Sequence, residues 1–322
     1  MSSRAAWLVV PVLAALALPV MPLPTWITLT VAGAAMGMML FLMASGLTLI
    51  FGLMDVLNFA HGGFITLGAF AAVSVFAALS GWVGAPSLTL NLLALTIAAG
   101  LSGLAGGVLG AVFERLLVRR VYGAHLRQIL ITVGGLIIVD QAIVALWGAE
   151  PLQLVKPATL RGSFTLGGAA IESYRMVALA LGLTVYVAMQ AVLTRTRLGL
   201  LVRAGVENRE MVEALGFSVR RLFVGVFVAG TALAGIGGAM WAVYQEQVTP
   251  AIGGEMTIAV FTIVIIGGLG SVTGCFVAAV LVGLTANYVG FLAPQLAIGA
   301  NLALMTAVLL WRPRGLFPLG AR

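Results

Sequence analysis

Ile129–Trp147 reads ILITVGGLIIVDQAIVALW, an apolar run broken only by Thr132, Asp140 and Gln141, with no alternation of polar and apolar positions. A membrane-spanning barrel strand alternates over about 10 residues, whereas a helix needs roughly 20 apolar residues to cross ~30 Å of hydrocarbon. In lipid, every backbone N–H and C=O must be satisfied inside the segment or by its neighbours, so an unalternating run of this length reads as a helix. The rest of the chain agrees. Of 322 residues, 61% are apolar and 8% are charged, against about 25% charged in soluble domains. The fold expected is all-α, a polytopic transmembrane helix bundle of about 8–10 spans forming one domain over residues 1–322.

Apolar segments fall at about 7–24, 26–54, 62–80, 88–113, 128–148, 175–194, 222–243, 256–270, 273–292 and 295–311. The first has Arg4 before a short apolar core, the pattern of a signal peptide. It lacks a convincing small-residue cleavage site, so it reads as a span, with a leader as the alternative. All of the 17 Lys and Arg except Lys156, Arg161 and Arg175 fall on one side of a ten-span path. By the positive-inside rule that side is cytoplasmic and holds both termini. Residues 149–174 are then an extracytoplasmic loop and residues 195–221 a cytoplasmic one. The net charge of +7 is thus a topology signal, not a nucleic-acid surface.

Two segments are unlike plain spans. Gly46–Gly68, GLTLIFGLMDVLNFAHGGFITLG, places Asp55, Asn58 and His61 between apolar runs. Ile263–Gly274, IVIIGGLGSVTG, is interrupted by glycines. Interrupted helices at membrane depth are tolerated where protein or a water-filled cavity satisfies the freed backbone, and they point to transport pathways. The competing reading of each is a tight turn at the cytoplasmic surface. Glycines at 100, 103, 106, 107 and 110, and at 230, 235, 237 and 238, allow close helix packing.

Catalysis finds little support. His61 and His125 sit in different loops, Cys275 is the single cysteine and suits a small packing role, and no zinc or catalytic-triad motif is present. The single lysine is Lys156 and no phosphate-binding loop exists, so the chain is not expected to hydrolyse ATP itself. Asp140 and Gln141 lie well inside a span, where an acidic residue is costly and functional unless it makes a structural hydrogen bond. Within the cytoplasmic loop, Ala204–Leu215 is rich in helix formers and ends at Gly216. Val206, Met211, Val212 and Leu215 alternate with Glu207, Arg209, Glu210 and Glu213. A short amphipathic helix on the cytoplasmic face is expected, either a solvated connector or a docking element for a partner.

Several of these motifs together resemble the inner-membrane permeases of bacterial high-affinity branched-chain amino-acid ABC importers. They are Asn58-Phe59-Ala60-His61-Gly62, Glu114-Arg115, RLGLLVRAGVENREMVEALG over Arg197–Gly216, IIGGLGSVTG over Ile265–Gly274, and RPRGLF over Arg312–Phe317. The resemblance runs from about residue 30 to the end. It implies a sister permease subunit, two cytoplasmic ATPase subunits that use ATP and Mg, and a periplasmic solute-binding protein, with no cofactor or metal held by this chain. It assigns Arg203, Ala204, Asn208, Glu213, Ala214, Leu215 and Gly216 to coupling with the ATPase. Asn58, Phe59, Ala60, His61 and Gly62, together with Asp140, Gly267, Gly268 and Gly270, become candidates for the translocation pathway. Permeases for urea or short amides are the nearest alternative. An ion-coupled secondary transporter, with Asp140 as its coupling carboxylate, would leave the cytoplasmic loop without a purpose.

Overall fold

The structure is a computed structural model that describes residues 6–207, 209–214, 216 and 218–318. Among them are seven helices long and apolar enough to cross a membrane, and three shorter apolar helices. In chain order the helices longer than four residues are α1 (Val9–Ala17), α2 (Leu23–Met54), α3 (His61–Ala78), α4 (Leu88–Leu116), α5 (His125–Trp147), α6 (Ser173–Arg195), α7 (Arg197–Glu207), α8 (Arg209–Ala214), α9 (Val219–Gln245), α10 (Ile252–Gly267), α11 (Val272–Leu292) and α12 (Ala297–Trp311). Each expected apolar segment contains a helix or forms the core of one, but the first, expected as a span over 7–24, is α-helical only over Val9–Ala17. This short helix packs on α11, its Ala14 carbonyl accepting from Trp26 Nε1 at 2.8 Å.

Local sequence sets several boundaries. Ser218 Oγ accepts from the Arg221 amide to start α9, and Ser271 Oγ accepts from the Gly274 amide at 3.1 Å to start α11. A serine at this position satisfies a backbone donor that the first turn leaves free.

The long helix α2 is the central post, packed against α9 and α11 and more enclosed than α5 or α6, which lie on the outside. Its contacts are backbone on backbone. A Cβ on Gly46 would meet the Gly230 carbonyl, and one on Gly37 would lie 2.8 Å from Val280 Cα. The glycine stripes of α4 and α9 face one another, with Gly103 against Ile236, Gly106 and Gly110 against Thr231, and Gly235 against Ser102. In lipid no hydrophobic effect drives helices together, so close van der Waals approach carries the association.

The two ends of the described chain meet. The rings of Trp7 and Phe317 contact edge to face at 5.6 Å. This terminal end of the bundle also carries the close of α2, α4 and α6. The opposite end carries strands not expected from the sequence: β1 (Leu152–Gln153) pairs antiparallel with β4 (Gln247–Val248), and β2 (Ser163–Leu166) with β3 (Ala169–Glu172).

Candidate functional site

The chain does not simply turn between α2 and α3. Asp55 closes α2 in the left-handed region at φ 51°, its amide bonded to the Phe51 carbonyl. Residues 55–60 are non-helical, and α3 starts at His61. His61 Nε2 donates to the Met43 carbonyl at 2.8 Å. A carbonyl only accepts, so this contact fixes the Nε2–H tautomer. Met43 lies about 16 Å back along α2 from Met54, so the segment climbs back into the bundle before α3 begins. Thr132 Oγ1 on α5 is 3.4 Å from the Leu57 carbonyl, and the Asn58 carbonyl accepts from the His61 amide at 3.2 Å. The irregular backbone is therefore sheltered by protein, the condition under which membranes tolerate it.

α10 meets α3 at this break. A Cβ on Gly62 would strike the Gly253 carbonyl and Thr257 Oγ1, and one on Gly253 would strike Gly62 and Thr66. Phe59 stacks on Phe261 of α10 with ring centroids 4.9 Å apart. About 24 Å of helix separates Gly62 from the far end of α3, and about 21 Å separates Gly253 from the far end of α10. The Gly62–Gly253 crossing therefore lies at mid-depth, with α3 leaving toward one side and α10 toward the other. Asn58, Ala60, His61 and Gly62 are buried and Phe59 is half-buried. Both amide atoms of Asn58 and Nδ1 of His61 are buried without a hydrogen-bond partner, and such groups are rare in a settled interior.

The other pathway candidates are distributed differently. Asp140 is half-buried on α5, next to Val139, which packs on Gly63, and its Oδ1 is buried and unpartnered. It thus stands one helix away from the break. Gly267, Gly268 and Gly270 sit at the opposite end of α10 and form a turn there, Gly268 at φ 98° and Gly270 at φ 80°. Gly52 of α2 packs on Gly270. The closing RPRGLF segment zips onto this turn, the Leu316 and Phe317 amides donating to the carbonyls of Ile266 and Gly267 at 2.9 and 3.0 Å. Arg312 Nη1 donates to the Leu316 carbonyl at 2.9 Å.

The basic loop between α6 and α9 is helical over Arg197–Glu207 and Arg209–Ala214, where the sequence reading places a helix over 204–215. The start lies earlier, at Arg197, because Thr196 Oγ1 accepts from the Gly199 amide at 3.2 Å and so caps α7. Ala204 and Gly205 lie in α7, with Gly205 against Leu222 at the base of α9. Glu213 and Ala214 end α8 and are exposed, Val212 is buried and Met211 is exposed. Gly216 adopts φ 84°, its amide bonded to the Glu213 carbonyl at 3.0 Å. Asn208, Leu215 and the side chain of Arg203 lie outside the described residues.

Sequence reasoning missed two features. Lys156 is buried at the strand-bearing end, bonded to Glu172 at 2.6 Å and Glu246 at 2.9 Å, with Arg175 also on Glu172. Burial pulls its pKa down, but the hydrogen bonds and charges of the two glutamates outweigh that and hold it above 10.5. The other feature is Glu255, exposed in the first turn of α10. Its signal was available, a lone carboxylate at the edge of the run 256–270 read as a span.

Comparison with known proteins gives a consistent picture. The family described as branched-chain amino acid transport system / permease component matches residues 29–311. The permease protein BraD of the Pseudomonas aeruginosa high-affinity branched-chain amino acid transport system is 27% identical over 89% of this chain and 94% of its own. The corresponding LivH of Escherichia coli K12 is 26% identical over 88% and 92%. LivM of the same organism is 28% identical over 90% of this chain and 70% of its own. No solved structure matches the chain.

Proposed function

The chain belongs to the family of permease components of branched-chain amino acid transport systems, and from that premise we propose that it forms half of the membrane path of an ATP-driven importer. It is a multi-pass membrane permease subunit and not an enzyme. The solute on this reading is a branched-chain amino acid or a related small amphipathic molecule, handed over by a periplasmic binding protein. A sister permease completes the path. Two cytoplasmic subunits bind ATP and Mg, and this chain holds no cofactor.

The observation that carries the reading is the break at residues 55–60, where α3 and α10 both begin at mid-depth around Gly62 and Gly253. A solute path needs polar groups inside the bilayer and helix ends able to move, and transporters place both at discontinuous helices. Asn58 to Gly62 are assigned to the path, with Asp140 one helix away as a supporting carboxylate. Gly267, Gly268 and Gly270 serve it indirectly, as the turn that anchors the foot of α10. The terminal end carries the arginine-rich loops, so it faces the cytoplasm of a bacterial inner membrane. There α7 and α8, with Ala204, Glu213, Ala214 and Gly216 among the described residues, are the coupling element; Arg203, Asn208 and Leu215 complete the assignment by sequence.

The test is purification of the tagged chain from detergent-solubilised membranes. Co-purification of a related permease and nucleotide-binding subunits, with ATP-dependent amino-acid uptake after reconstitution, is expected. Uptake by the chain alone in nucleotide-free proteoliposomes would overturn the reading in favour of a secondary transporter.

A further inference from the structure

α10 has two faces. Gly253, Val260, Ile263 and Val264 are buried in the bundle, while Gly254, Glu255 and Ile258 form an exposed stripe at helical spacing, Ile258 being 64% exposed. Phe261 continues the stripe one turn on, with Phe59 stacked on it. Glu255 follows Gly253 by two residues, which fixes its depth. It lies beside the Gly62 crossing, with about 18 Å of helix between it and Gly267. Among the described residues no cation pairs with it. A carboxylate at that depth does not face lipid; ionisable groups inside membranes face a bundle interior or a water-filled cavity. The loop that stacks Phe59 on Phe261 also carries Asn58, whose amide is fully buried and unpartnered.

We propose that the Gly254–Glu255–Ile258 stripe of α10 is one wall of a water-filled solute path closed by the sister permease, and that Glu255 is its specificity-determining residue, receiving the ammonium group of the amino acid. Ile258 and Phe261, one and two turns further along the same face, meet the aliphatic part of the solute. The arrangement complements an amphipathic cation-bearing solute: charge against charge at one end, apolar contact at the other. The inference rests on the permease reading and deepens it.

Two measurements on the complete transporter test it. The first uses membranes carrying Cys275→Ser, which removes the single cysteine, combined with Glu255→Cys, Ile258→Cys or Ile138→Cys. Ile138 is 68% exposed on α5 beside Val139, which packs on Gly63, so it samples the same depth on a lipid-facing helix. A trimethylammonium methanethiosulfonate should modify positions 255 and 258 at least about 10-fold faster than 138, and the solute should slow the reaction at 255. Equal, slow reaction at all three positions would overturn the path. The second is uptake: Glu255→Gln should raise KM for the amino acid about 10-fold or more, and Glu255→Asp should retain most of the affinity. Unchanged KM in Glu255→Gln would overturn the recognition role even with position 255 labelled. Thiol labelling needs no transport, and wild-type co-purification with nucleotide-binding subunits reports on the permease reading separately, so the two failures are distinguishable.

Discussion

At the scale of single residues, one lysine shows how charge is placed in this chain. Lys156 is nearly buried, and its ammonium ties the loop after β1 both to Glu172 at the start of α6 and to Glu246 at the end of α9. Lys156→Met leaves two carboxylates facing each other. Breaking a buried pair costs about 3–5 kcal/mol, but Glu246 is 52% exposed, so solvent screening reduces the expected loss to about 2 kcal/mol. Thermal unfolding of the purified chain checks this through a drop of several degrees. The pH dependence follows from the raised pKa. The stabilisation is fully present below the ordinary lysine value and disappears as pH rises through the higher folded value. The wild-type melting temperature should therefore hold up to about pH 10.5 and fall above it, while Lys156→Met should lack that step. Asp140→Asn is a companion test of the buried, unpartnered Oδ1. Uptake reduced at least about 10-fold with unchanged thermal stability assigns it to the path, and a changed melting temperature with normal uptake assigns it to packing.

At the scale of elements, the spans were legible because lipid imposes a length and a composition on each, and every expected apolar segment contains a helix. What the sequence did not disclose is where α3 begins in depth. The run around Asn58 reads equally as a surface turn or as a break inside the membrane. Long-range contacts separate the two, that of His61 with the Met43 carbonyl and the Gly62–Gly253 crossing. For Ile263–Gly274, the hydrogen bonds from Leu316 and Phe317 favour a turn in the same way. The two-residue pairing of β1 with β4 carries no pattern of its own, whereas the β2–β3 hairpin turns on Gly167–Gly168, a signal the sequence reading left unused. Gly62→Val tests the break directly, since any Cβ there meets the Gly253 backbone. Overpacking costs about 1–3 kcal/mol, and uptake should fall at least about 10-fold in protein that still inserts.

At the scale of the whole molecule, the prediction concerns coupling. Gly216 holds φ 84° at the close of α8, where a side chain is strained by about 1 kcal/mol. Gly216→Leu, and separately Glu213→Lys, should leave insertion and sister-permease binding intact and reduce solute-stimulated ATP hydrolysis at least about 5-fold; normal stimulation in both would remove α7 and α8 from the coupling role. The resemblance named this segment from Arg197–Gly216, but the helix start at Arg197 depends on Thr196 capping and its seat on α9 depends on Gly205 against Leu222, neither of which a propensity scale contains.

The crossings at Gly46 with Gly230, Gly68 with Gly235 and Gly62 with Gly253 share a property beyond tightness. Side chains that interdigitate act as teeth, and sliding one toothed rod along another means lifting every tooth over its neighbour. Bare backbone has no teeth. These joints resist separation, because all their contact energy is short-ranged, yet they oppose gliding along the axis only weakly. At these three crossings the core of the bundle is thus built as plain bearings, strong in compression and smoother in shear than toothed packing would be.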